Sequence, residues 1–176
     1  MHAIQFLLGL GSNLGDRAQC ISQAIQEIKK IPGLTLLDIS DAVDSDPVGY
    51  TNQGNFLNIC LAIIYEKDSL SLLSEIQAIE QKGGRIRTIK DGPRTIDIDI
   101  LFSERGTEQS ESLILPHPRW HERGFVIFPL RQLLHSPRIA KEKSWDWLRN
   151  EVARLNVSET GLRLWQGPTP WKTILR

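Results

Sequence analysis

A chain of 176 residues carrying 21 basic and 21 acidic side chains is most simply one domain, long enough to bury a real core. Its zero formal charge argues against a general electrostatic attraction to nucleic acid or anionic membranes and leaves only local basic patches for anions. No apolar run is long enough to cross a bilayer, and the opening Met1-His2-Ala3-Ile4 lacks the basic region of a signal peptide. Cys20 and Cys60, both in apolar periodic contexts, read as buried free thiols of a reducing cytoplasm.

Residues 4–10 are a short apolar run ending at glycines, which predicts a buried strand. The turn Gly11-Ser12-Asn13-Leu14-Gly15-Asp16 offers Ser12, Asn13 and Asp16 as caps for a helix over 17–30. That helix has an apolar stripe of Ala18, Ile21, Ala24, Ile25 and Ile28, and Pro32-Gly33 stops it. A second strand over 34–43 leads into a polar loop, 44–54, whose length marks it as a binding segment. A third strand over 55–65 should pair antiparallel with the second. Ser69 then opens a helix with Leu70, Leu72, Leu73, Ile76 and Ile79 on its apolar face, closed by Gly83-Gly84.

The segment 83–102 carries most of the chemistry. Asp97 and Asp99 alternate with Ile96, Ile98 and Ile100, so on a strand both carboxylates leave one face while the other face is aliphatic. Two neighbouring carboxylates repel, and a divalent cation is the usual way to neutralise them. A solvated strand edge would show the same spacing. The loop upstream favours the metal: Arg85, Arg87, Lys90 and Arg94 lie on a glycine-containing segment that Gly92-Pro93 turns directly into the strand. Such a cationic loop suits a polyphosphate and can exclude water during its transfer.

Beyond the fourth strand, 103–112 is a polar excursion, Pro116-His117-Pro118 is rigid and non-helical, and a helix over 125–134 is expected despite Pro129. From 139 onward, Trp145, Trp147, Trp165 and Trp171 either pack back on the domain or serve a partner. Strand, helix, strand, strand, helix, strand is the split βαβ order of an α+β, ferredoxin-like sandwich.

Other motifs are weaker. Gly9-Leu10-Gly11-Ser12-Asn13-Leu14-Gly15 misses the GxGxxG spacing by one residue, and the chain has neither a P-loop nor an HExxH pair. Pro118 breaks any helix joining His117 to His121, so His117 reads either as an oriented donor to phosphate or as a surface side chain in a rigid turn. Arg119 and Arg123 add charge nearby. By pattern alone, Gln77 and Glu80 belong to a solvated helix face.

Gly11-Ser12-Asn13-Leu14, Pro47-Val48-Gly49, Phe56-Leu57-Asn58, Gly92-Pro93-Arg94-Thr95-Ile96-Asp97-Ile98-Asp99-Ile100-Leu101, Pro116-His117-Pro118-Arg119 and His121-Glu122-Arg123-Gly124-Phe125 together resemble the 6-hydroxymethyl-7,8-dihydropterin pyrophosphokinase family over about 4–134. The resemblance implies a ferredoxin-like α+β fold with an antiparallel sheet and long active-site loops. It implies a catalytic domain over 1–138 and a C-terminal extension over 139–176 packed on it. The implied reaction moves pyrophosphate from ATP to the pterin in folate biosynthesis and releases AMP. Asp97 and Asp99 would hold two Mg²⁺ ions, with Arg85 and Arg94 completing the catalytic set. Leu73, Gln77, Glu80, Arg85, Arg87, Arg94, Ile100, His117 and Arg123 would bind ATP. Ser45, Val48, Gly49, Phe56, Asn58, Asp97 and Phe125 would bind the pterin. A cytoplasmic monomer or weak homodimer, with no nucleic acid or membrane partner, is expected. Asp91 departs from the aromatic residue many members carry before Gly-Pro-Arg, and Ser112 and Ile114 replace polar or basic side chains that touch ATP in some members.

A ferredoxin-like RNA-binding module would need exposed aromatics on its central strands within a basic surface. Phe56 is isolated and the net charge is zero, so filter binding should retain no single-stranded RNA. Retention at physiological salt would restore the binding-module reading.

Overall fold

The computed structural model describes residues 3–84 and 92–175. In chain order the elements are β1 (Ile4–Ser12), α1 (Arg17–Lys29), β2 (Leu34–Ile39), β3 (Val43–Ser45), β4 (Phe56–Tyr65), α2 (Ser69–Lys82) and β5 (Asp97–Ser103). A small hairpin of β6 (Glu108–Gln109) and β7 (Ile114–Leu115) follows, then α3 (Gly124–Leu134), α4 (Asp146–Arg154) and β8 (Leu162–Leu164). Of the three candidate caps for α1, Asp16 does the work: its carboxylate accepts from the Gln19 N–H at 3.0 Å. Asp68 caps α2 in the same way through the Ser71 N–H.

The main sheet runs β5-β1-β4-β3-β8, with β2 also paired to β4, and every pairing is antiparallel. The fold is therefore mixed α/β on an antiparallel sheet. β4 is long enough to receive β2 against one half and β3 against the other. The single strand expected over 34–43 is thus two strands, and Asp44 and Ser45, expected in the loop, end the second of them. The cause is local. The buried Ser40 hydroxyl accepts from the Cys60 N–H at 2.8 Å, so a side chain takes over a ladder bond and the strand breaks there.

Period-two alternation sorts the sheet into two faces. Leu8, Leu10, Ile59, Leu61, Ile98 and Ile100 pack beneath Ile21, Ile25 and Ile28 of α1 and Leu72 and Ile76 of α2. Leu7, Cys60, Ala62, Leu101 and Phe102 pack against Ile127, Leu130 and Leu134 of α3 and Leu148 and Val152 of α4. This second helical layer covers one end of its face and leaves the other end to the site. No described helix is long and apolar enough to cross a membrane. Both cysteines are free, as expected; Cys60 is buried, but Cys20 is only half-buried on α1.

Two of the tail's tryptophans are core side chains. Trp145 is fully buried in the second cluster and its Nε1 donates to Gln5 Oε1 at 2.9 Å, while Trp171 is fully buried in the first. Trp147 stays 42% exposed and meets Phe102 edge-on. Removing a buried tryptophan loses its transfer energy and leaves a cavity, so Trp171→Ala should lower the unfolding free energy by about 3–5 kcal/mol in a urea titration. A loss below about 1 kcal/mol would mean that the tail is a loose appendage.

Candidate active site

The register of the central strands builds the floor. Asp97 lies opposite Gly11, which lies opposite Asn58; Asp99 lies opposite Gly9, which lies opposite Cys60. Cross-strand partners share a face, so the two acids look across glycines that raise nothing between them and β4. A Cβ at Gly11 would meet Asn58 Oδ1 at 3.1 Å, and one at Gly9 would meet Leu101 Cδ1 at 3.3 Å. Above this floor is a cavity of about 450 Å³, within the usual size of a small-ligand pocket.

On one side stand the acids and their cations. Arg94 Nη1 pairs with Asp97 Oδ2. Arg123 Nη1 lies 3.4 Å from Asp99 Oδ2, and His117 Nε2 lies 3.9 Å from the same oxygen. His117 Nδ1 accepts from the Arg119 N–H at 3.2 Å, which leaves the proton of the neutral ring on Nε2, the nitrogen facing Asp99. Burial pushes the His117 pKa below the ordinary 6.5, outweighing the opposite pull of Asp99, and Arg123 adds to the lowering. From the other face of the sheet Glu80 reaches in, 4% exposed, and its Oε1 accepts from the Ile98 N–H at 2.8 Å. That bond grips the strand between the two aspartates. The solvated-face reading of Glu80 is therefore corrected, whereas Gln77 is exposed.

On the other side stand the ring-sized surfaces. Phe56 opens β4 and Phe125 sits in the first turn of α3; both are half-buried and both line the cavity. Asn58 Nδ2 donates to Ser45 Oγ at 2.9 Å and to the Val43 carbonyl at 3.4 Å, so the amide is held in one orientation. Val48, 62% exposed, and Gly49 project from the 46–55 loop over the same space.

The cavity thus gathers Ser45, Val48, Gly49, Phe56, Asn58, Arg94, Asp97, Asp99, Arg123 and Phe125. Leu73, Gln77, Glu80, Ile100 and His117 do not line it, and the Ile100 side chain is 4% exposed in the core on the opposite face. Arg85, Arg87, Lys90 and Asp91 lie outside the described residues.

Asn13, a candidate cap by sequence, has a second task at the site. Its Oδ1 accepts from the Arg94 N–H at 2.7 Å while its Nδ2 donates to Gln53 Oε1 at 2.9 Å and the Gly54 carbonyl at 3.1 Å. One amide therefore ties the far end of the 46–55 loop to Arg94. Asp46, Arg119 and Glu122, and Ser158, Thr160, Gly161 and Leu162 of the tail, also line the cavity. The tail residues carry no motif that could have flagged them.

Among the described residues no three His, Cys, Asp or Glu side chains cluster as a closed metal site. Two carboxylates on one strand face fit a hard cation that draws its other ligands from water and phosphate, as Mg²⁺ does. In the ligand-free protein the His117 C2–H resonance should titrate with a midpoint below 6.5. Because that value lies below the unfolded one, the contribution is complete above pH 6.5 and is lost as the pH falls through the folded value. A midpoint above 6.5 would mean that Asp99 outweighs burial.

Residues 7–135 match the family model for 7,8-dihydro-6-hydroxymethylpterin-pyrophosphokinase (HPPK). The chain is 35% identical over 159 residues to the 2-amino-4-hydroxy-6-hydroxymethyldihydropteridine pyrophosphokinase of Bacillus subtilis, covering 90% of this chain and 89% of that one. It is 37% identical to the Methylorubrum extorquens protein of the same name over 151 residues, 86% of this chain and 93% of that one. Among solved structures, wild-type Plasmodium falciparum HPPK-DHPS with pterin and p-hydroxybenzoate superposes with a TM-score of 0.62 at 15% identity, over 93% of this chain. The present chain spans 45% of that longer one, and at this identity the likeness concerns the fold alone.

Proposed function

The chain belongs to the 7,8-dihydro-6-hydroxymethylpterin-pyrophosphokinase family, and on that premise we propose that it transfers the pyrophosphoryl group of ATP to 6-hydroxymethyl-7,8-dihydropterin in folate biosynthesis, releasing AMP. The observation that carries this is one cavity lined by two aromatics and an oriented amide at one side and by a carboxylate pair with arginines at the other.

A flat heteroaromatic ring wants two aromatic faces and a few fixed hydrogen bonds. Phe56 and Phe125 take the faces of the pterin. Asn58, with Ser45 behind it and the main chain of Val48 and Gly49, reads its edge. The hydroxymethyl group then points along the floor toward Asp97. Its oxygen attacks the β-phosphorus, the bond from that phosphorus to the α,β-bridging oxygen breaks, and AMP leaves with that oxygen. Asp97 orients the hydroxyl and receives its proton.

Asp97 and Asp99 hold two Mg²⁺ ions, which when bound neutralise phosphate charge and align the reacting groups. Arg94 and Arg123, already beside the acids, stabilise the charge gathering on the departing phosphate, and the Nε2–H of His117 donates to it. Arg85 and Arg87 also serve ATP binding, Arg85 within the catalytic set. Leu73, Gln77, Glu80 and Ile100 serve ATP binding from behind the cavity floor, Glu80 by holding the Asp97–Asp99 strand in place. The strand order, with α1 and α2 on one face, fits a ferredoxin-like βαββαβ unit with long active-site loops. Residues 1–138 form the catalytic domain and 139–176 an extension packed on it. The protein acts in the cytoplasm as a monomer or weak homodimer on ATP and the pterin alone.

Purified protein given the reduced pterin, ATP and Mg²⁺ should release AMP in a pterin-dependent manner, quantified by chromatography. Asp97→Ala and Asp99→Ala should each cut turnover at least about a hundredfold with the circular dichroism unchanged. ADP in place of AMP would overturn the reaction, and wild-type turnover in either variant would overturn the metal assignment.

A further inference from the structure

We propose that the C-terminal strand, clasped through Arg163, positions the pterin-binding loop, so that the extension sets affinity for the pterin. This rests on the reading of the cavity as the pterin site. β8 pairs with β3 as Leu162 opposite Ser45, Arg163 opposite Asp44 and Leu164 opposite Val43. β3 runs straight into the loop that carries Pro47, Val48 and Gly49, so β8 borders the segment that shapes one wall of the cavity.

The pairing continues past the strand. The Asp46 N–H donates to the Gly161 carbonyl at 2.9 Å. Arg163 Nη2 donates to Asp44 Oδ1 at 3.0 Å and to Asp46 Oδ1 at 2.5 Å. Asp44 also receives Arg17 Nη1 at 2.7 Å and Asn55 Nδ2 at 3.0 Å, and Arg17 reaches the Asn55 carbonyl at 2.9 Å. Asp46 and Asn55 are the two ends of the loop. Both are gathered on one cluster of charges, in which Arg163 is the tail's contribution. Trp165, next on the tail, lies under the Arg17 guanidinium at 5.1 Å and keeps it facing the cluster.

Close fit on two walls points the same way. Gly161 has φ +75°, and a Cβ there would stand 2.7 Å from Asp46 Oδ2. A Cβ at Gly124, immediately before Phe125, would stand 2.9 Å from the Ser158 carbonyl and 3.0 Å from Leu162 Cδ1. The turn 158–162 is therefore wedged between the loop and the start of α3, the two elements that present Val48 and Phe125.

Arg163 is 49% exposed, and exposed ion pairs contribute little to global stability. Its effect is geometric: holding a loop in its binding conformation lowers the ordering cost of a ligand. In the full chain, Arg163→Ala should raise KM for the pterin, and its Kd by fluorescence titration, about fivefold. The KM for ATP and kcat should stay within about twofold and the Tm within about 2 °C. Arg163→Lys should recover part of the loss, and Arg163→Ala with Asp46→Asn should cost less than the sum of the two. An unchanged pterin KM, or equal rises in both KM values with a fallen Tm, would overturn the inference. Wild type that binds no pterin would instead overturn the functional reading beneath it.

Discussion

Everything in the site depends on two glycines in the middle of the sheet. Glycine weakens a strand, and β1 carries Gly9 and Gly11 where it is paired on both sides. What they provide is space. Asp97 and Asp99 stand beside positions with no side chain, and Asn58 stands beyond. Side chains at those two positions would fill the floor of the cavity and separate the acids from the aromatic side. The long ladders to β4 and β5 absorb the cost, and the aliphatic opposite face of the same strands anchors them on α1 and α2.

Around that floor the structure holds loop ends. Asn13 links the far end of the 46–55 loop to Arg94, Glu80 grips the main chain between the aspartates, and Ser45 fixes the Asn58 amide. The Asp44 carboxylate is opposed by burial, yet hydrogen bonds from Arg17, Arg163 and Asn55 hold its pKa below the usual carboxylate range. These contacts fix loop ends, strand main chain and the Asn58 amide to rigid elements, which is how a site on loops acquires fixed geometry.

The parts legible in the sequence are those with a local cause. The two-residue period of Asp97 and Asp99, the α1 stripe and its Asp16 cap, and the β4 run all follow from neighbours in the chain. What escaped depends on distant partners. The break between β2 and β3 exists because the Ser40 hydroxyl meets Cys60 across the sheet. Glu80 looks like a surface acid until β5 is placed beside α2. β8 is three residues long, and two of them are exposed; only the free edge of β3 makes it a strand. That Phe56 and Phe125 face one cavity was available from the resemblance but not from any spacing, since they sit on different elements far apart in the chain.

A crystal structure with Mg²⁺, an ATP analogue blocked between its α- and β-phosphates, and the reduced pterin tests the arrangement most directly. It should show the pterin ring between Phe56 and Phe125, Asn58 on its edge, and metal ions bridging Asp97 and Asp99 to the phosphates. A pterin bound elsewhere, or phosphates held by arginines with the two carboxylates free of metal, would contradict it.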